Sequence, residues 1–148
     1  VSLAPLDPRL VIARLKAQVS VLQLVGSAAD FQAVKSLSGF RTPSAYAVLA
    51  NEVAQPKPTG TNGPVRQLAE ATFGVVVAVR NYRAEDAEKS DDLNAVLAAV
   101  RGAIIGWVPN LPMARGCQLV AGQPLDSDSA TLLWGDLYST QYSLGSNP

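Results

Sequence analysis

Residues Glu70 to Asn81 constrain the fold more than any other stretch of the chain. Ala71, Phe73, Val75, Val77 and Val79 fall on one side of an extended backbone, and Thr72, Gly74, Val76, Ala78 and Arg80 on the other. Both sides are apolar in the middle. Such a strand must be covered on both faces, which predicts a central strand. A chain of 148 residues can bury the necessary core without a disulfide or metal staple. One domain over 1–148 is expected.

Asp7-Pro8 predicts the start of a helix, with Asp as the cap and Pro at the first helical position, where the missing amide has no partner to lose. Ile12, Leu15 and Val19 give this helix an apolar face and leave Arg9, Arg14 and Lys16 mostly on a basic solvent side. Val21 to Val25 is short and apolar, and Gly26-Ser27 turns the chain. Ser27 and Asp30 have the spacing of a capping box, and Ala28, Phe31, Val34 and Leu37 continue as a short second helix ended by Ser38-Gly39. Thr42 precedes a proline and is extended. Tyr46 to Leu49 reads as a strand. Asn51 to Val65, with Pro56, Pro58, Gly60, Gly63 and Pro64, reads as a long loop, a length usually tied to function or disorder.

Arg83 to Asp92 is charged, carrying Glu85, Asp86 and Glu88. Ser90 can cap the next helix, with Asp91 and Asp92 at its positive end. Leu93, Val96, Leu97, Val100, Ile104 and Ile105 predict the main core helix, closed by Gly106 and Pro109. Arg115 to Ala121 reads as a strand and Gly122 to Ser129 as a turn region. Ala130 to Ser143 reads as a long strand, or a hairpin with a bulge at Gly135. Without a bulge, Leu132, Trp134, Tyr138 and Tyr142 share one side. Gly145 to Pro148 is a short polar tail. These elements predict an α+β fold, a mostly antiparallel sheet flanked by helices.

Composition narrows the chemistry. The chain has 12 Lys+Arg, 12 Asp+Glu, no His and one Cys. Zero net charge argues against a generic nucleic-acid binder, which needs excess cations. Without His there is no imidazole acid–base or metal chemistry, and one Cys makes neither an intrachain disulfide nor a Cys-rich zinc site. Val1 to Pro8 lacks a signal-peptide pattern, and no apolar run approaches the roughly 18 residues of a membrane span. A soluble product of a reducing compartment, without a membrane partner, is expected. No phosphate-cradling glycine motif is present. Asp126-Ser127-Asp128 reads as a turn, the acids from Glu85 to Asp92 as a helix cap and solvated loop, and Cys117 as a core thiol. Core packing is expected for Trp107. The expectation is a protein that is not an enzyme, with no catalytic residue, cofactor or metal. A hydrolase using Asp126, Asp128 or Asp136 is the alternative from another class.

Five segments carry a resemblance: Val11-Ile-Ala-Arg-Leu15, Thr42-Pro-Ser-Ala-Tyr46, Phe73-Gly-Val-Val-Val-Ala-Val-Arg-Asn81, Ala103-Ile-Ile-Gly-Trp107 and Leu133-Trp-Gly-Asp-Leu-Tyr138. In this order they span nearly the whole chain, which resembles the phage tail terminator family, in the branch found in Mu-like phages and prophages. The resemblance implies an α+β subunit that forms a homohexameric ring. Such a ring sits on the head-proximal end of the tail tube, ends tube polymerisation and presents a surface to head-completion, neck or stopper proteins. It implies the tail tube protein as partner, the sheath where the tail contracts, and DNA only as passing cargo. It carries no binding residue over. A different head–tail joining protein, or a tail-tube or baseplate component, stays open beside it.

A ring needs heterologous contacts, one patch meeting a different patch on the next copy. The charges supply candidates for subunit or partner contact. Arg9 and Arg14 lie on the first helix, Lys57 in the long loop, and Arg66 at the approach to the central strand. Arg80 and Arg83 mark the strand's exit, and Glu85, Asp86 and Glu88 form the acidic segment. For Arg80 and Arg83 a local ion pair and an intersubunit pair are both open.

Overall fold

The alternation predicted at Glu70 extends further back along the chain. The computed structural model describes residues 3–56, 65–80 and 92–145, and within them the central strand β3 spans Arg66–Arg80. Strands β2 (Ser44–Ala54) and β5 (Thr131–Gly145) flank it, both antiparallel. Strand β1 (Leu24–Ser27) pairs in parallel with β2, and β4 (Gln118–Ser127) pairs antiparallel with β5. The order is β1-β2-β3-β5-β4, a mixed sheet with the predicted strand at its centre.

Odd-numbered β3 residues and their even-numbered β5 partners form the front face. Phe73, Val75, Val77 and Val79 join Tyr138 and Tyr142 in the main core. Two helices cover it: α1 (Pro8–Gln18), through Val11 and Leu15, and α3 (Asp92–Ile104), through Val96, Leu97, Val100 and Ile104. Each such side chain adds roughly 1.5–3 kcal/mol on burial. Asp7 caps α1 as expected, its carboxylate accepting the Arg9 N–H at 2.9 Å. Ile105 leaves the predicted stripe, because the helix ends at Ile104 and Gly106 turns the chain at φ +83°. It is exposed. Ser90 and Asp91, the expected cap, lie outside the described residues.

Among the described residues the back face is covered at one end only. Helix α2 (Ala28–Ala33) starts with the predicted capping box: Ser27 Oγ accepts the Asp30 N–H, and Asp30 accepts the Ser27 N–H. It stops short of the predicted end, since Val34 is extended and Leu37–Gly39 form a separate 3₁₀ turn. Phe31, Leu37 and Phe40 pack on Tyr46, Val76, Ala78 and Leu133 in a second, smaller core.

Other predicted boundaries move too: the strand expected from Arg115 starts at Gln118, and the one expected at Val21 to Val25 is Leu24–Ser27. The loop expected from Asn51 begins later, because β2 continues past an irregularity between Leu49 and Asn51, and Asn51 to Ala54 pair with Thr72 to Ala69. Polar residues are tolerated there because that end of the sheet is largely exposed. The predicted turn from Gly122 is strand up to Ser127. Gly, Pro and Asp fit because β4 is an edge strand, where a missing amide breaks no ladder. The turn itself is tight: Asp128 Oδ1 accepts the N–H groups of Ala130 and Thr131, both at 2.7 Å. Finally, β5 pairs with β3 through Gly135 without a shift, and the irregularities fall in β4, between Leu119 and Ala121 and between Pro124 and Asp126. Leu132, Trp134, Tyr138 and Tyr142 therefore do share a side. Among the described residues no helix is long and apolar enough to cross a membrane.

Gly106 has no atom within 4 Å of where a Cβ would sit, so its positive φ is the only bar to a side chain. Gly106→Ala should lower stability by about 1–2 kcal/mol in urea unfolding, and an unchanged midpoint would show the turn to be unstrained.

Candidate assembly surface

Beyond α2 the back face carries no covering element among the described residues. Gly74, Val76, Gly135 and Leu137 floor an apolar groove of about 500 Å³, walled by Phe31 and Leu125. The Leu125 side chain lies over Gly135, where a Cβ would come within 2.9 Å of it. Glycine at 135 therefore lets the β4 wall close down on the groove floor. Further along β5 the face turns polar, with Glu70, Ser139 and Gln141 beside Arg115 and Gln118 around a smaller pocket of about 280 Å³. At the far end, Pro112 and Met113 stand next to Arg66 and Ser143.

On the front side, one buried carboxylate organises a polar network. Asp136 Oδ2 accepts Arg101 Nε at 2.8 Å and Tyr138 OH at 3.1 Å. Its Oδ1 accepts Arg101 Nη2 and Trp134 Nε1, both at 2.8 Å. Burial alone would raise this carboxyl, and the bonds from Arg101, Trp134 and Tyr138 outweigh it and hold it below the ordinary value. Burial first, then the Asp136 charge, pushes the Tyr138 hydroxyl well up. Gly122 makes room for the network: a Cβ there would sit 2.6 Å from Asp136 Oδ1 and 2.7 Å from Arg101 Nη2. The arrangement bolts α3 to β5. With both its oxygens held by donors, Asp136 is placed as a structural anchor. Asp126 and Asp128 accept backbone N–H groups of the β4–β5 hairpin. Cys117 is buried, and burial pushes its thiol up to about 11, which leaves it protonated and a poor nucleophile. Among the described residues no group of three or more His, Cys, Asp and Glu could hold a metal ion.

The sequence-predicted contact residues do not converge. Arg9 is exposed and pairs with Asp7 at 2.7 Å. Arg14 works inside the subunit: its Nε donates to the Ala103 carbonyl at 2.9 Å, at the negative end of α3, and its guanidinium lies 5.9 Å from the Trp107 ring centre. Trp107 itself packs at the edge of the main core. Arg66 and Arg80 are both exposed, on the back face at opposite ends of β3. Lys57, Arg83, Glu85, Asp86 and Glu88 lie outside the described residues. Sequence reasoning missed the Arg101–Asp136 pair. Its signal was a charge set into an apolar helix stripe together with an acid set between Trp134 and Tyr138.

The family described as phage tail terminator protein matches residues 1–148. The chain belongs to the phage tail terminator family. It also resembles a chain of a solved structure titled "Virion of native gene transfer agent (GTA) particle", with 17% identity and a TM-score of 0.57, over 90% of this chain and 91% of that one. At that identity the likeness shows a shared fold. No curated protein sequence matches.

Family membership makes this a structural protein of the phage tail, and the tail terminator's front side reads as its scaffold. Asp136→Asn should cost about 3 kcal/mol, since it leaves the Arg101 charge unpaired. Because the folded carboxyl titrates below its ordinary value of about 3.9, the stabilisation is complete above that pH and is lost as pH falls through the lower, folded value. Chemical unfolding against pH should therefore show wild-type stability falling below about pH 4, with the variant's slope shallower there. Equal slopes would contradict the assignment.

Proposed function

We propose that this tail terminator assembles as a ring of identical subunits on the head-proximal end of the tail tube. There it ends tube polymerisation and offers a surface to head-completion, neck or stopper proteins. A hexamer is the expected stoichiometry, with DNA passing through as cargo and the sheath as a further neighbour where the tail contracts. Family membership over the whole chain carries this reading. The back face supports it, because among the described residues the sheet is covered at one end only, which leaves a wide surface for neighbours. Arg66 and Arg80, at the two ends of that face, are the proposed charged contacts, with Arg9 on the opposite side.

Particles made without a functional copy of this chain should carry overlong tails under negative stain. Tails of normal length that fail to join heads would instead make it a joining protein. Normal joined particles would remove it from both roles.

A further inference from the structure

We propose that Glu52, Tyr142 and Leu6 form a latch through which the far end of β2 holds the N-terminal strap, residues 3–7, on the core. The inference is independent of the ring reading. The strap leads into α1 with Leu3, Ala4 and Pro5 exposed and Leu6 buried in the main core. A buried N–H needs an acceptor. Tyr142 OH, from the other end of the chain, accepts the Leu6 N–H at 3.0 Å. The same hydroxyl donates its one proton to the Glu52 carboxylate. Burial above all, then the bond to Glu52, pushes this phenol up to about 12, so it stays protonated and keeps donating. A hydroxyl whose proton is committed to a carboxylate keeps its lone pairs for Leu6, and the carboxylate polarises the oxygen into a better acceptor.

The irregularity in β2 makes this relay possible. Leu49 stands opposite Phe73 and Asn51 opposite Thr72, so Ala50 is an extra residue and Glu52 falls opposite Ala71, on the front face. Continued without the shift, β2 would set Glu52 opposite Glu70 on the back face, one carboxylate against another. Tyr142 reaches Glu52 from across the sheet. It stands on β5 opposite Ala69, so β3 lies between the two strands, which are about 10 Å apart. Ala69 and Ala71, both buried, are short enough for the tyrosine to cross over them. The latch thus ties together the strap, β2 and β5. Glu52 is only partly buried, at the exposed end of the sheet, so a displacement of that end reaches the strap through Tyr142.

Native-state hydrogen exchange of the full chain, followed by NMR at the Leu6 amide, tests the latch, with the Val77 amide on β3 as the reporter of global unfolding. Tyr142→Phe should speed exchange at Leu6 roughly tenfold, and Glu52→Gln at least about threefold. Added to Tyr142→Phe, Glu52→Gln should have no further effect on Leu6, because it acts through the hydroxyl already removed. Gly106→Ala, which lowers stability at the turn after α3, should speed Val77 and leave Leu6 unchanged, because the strap opens by itself. Unchanged Leu6 exchange in Glu52→Gln, or a full second effect in the double variant, overturns the coupling. Leu6 exchange that follows Val77 in Gly106→Ala overturns the separate opening, and with it the latch.

Discussion

Everything in this subunit hangs on the pairing of β3 with β5. From Arg66 opposite Gly145 to Arg80 opposite Thr131, the two strands run side by side without a shift. A slip of one residue would exchange the two faces of the sheet. The register puts Phe73, Val75 and Val77 together with Tyr138 and Tyr142 under α1 and α3, and it puts Gly74, Val76, Gly135 and Leu137 on the other side. The same pairing sets Asp136 under Arg101 and leaves Gly135 beneath Leu125. One ladder thus builds a closed scaffold on the front and an incompletely covered surface on the back.

That asymmetry gives physical content to a balanced charge. A chain with 12 cations and 12 anions has no net charge to keep copies apart. Several of these charges are engaged inside the subunit: Arg101 with Asp136, Arg14 with the end of α3, Asp30 within its capping box. What reaches the back face is a few separated charges around an apolar groove. This suits a protein of the phage tail, whose work is contact with other proteins.

The elements with strong periodicity were legible in the sequence. The β3 alternation, the Asp7-Pro8 start, the Ser27–Asp30 box and the α3 stripe as far as Ile104 all follow from local spacing, and the fold confirms them. The misread segments are those whose structure is decided by a distant partner. Gly122 to Ser127 has the composition of a turn, yet β5 holds it extended at an edge where Pro124 loses nothing. Asn51 to Ala54 looked like loop until β3 was there to pair with it. The Arg101–Asp136 bond joins residues 35 apart in sequence, and although each stands out locally as a charge among apolar neighbours, no local pattern says that they pair. Arg14 shows the opposite error: a cation placed on a solvent face by helix spacing is held by α3 and Trp107. The groove is the least legible feature, since α2, β4 and the sheet floor meet only in three dimensions.

The proposed role is positional: copies of this chain would form a ring at the head end of the tail tube, touching through the back face. A cryo-electron microscopy reconstruction of the intact particle tests it most directly. The proposed function predicts a closed ring between tube and neck, with six copies expected and the back face buried at each subunit boundary. Density for this chain along the tube or at the baseplate would contradict it, as would a neck ring whose back-face grooves all lie open to solvent.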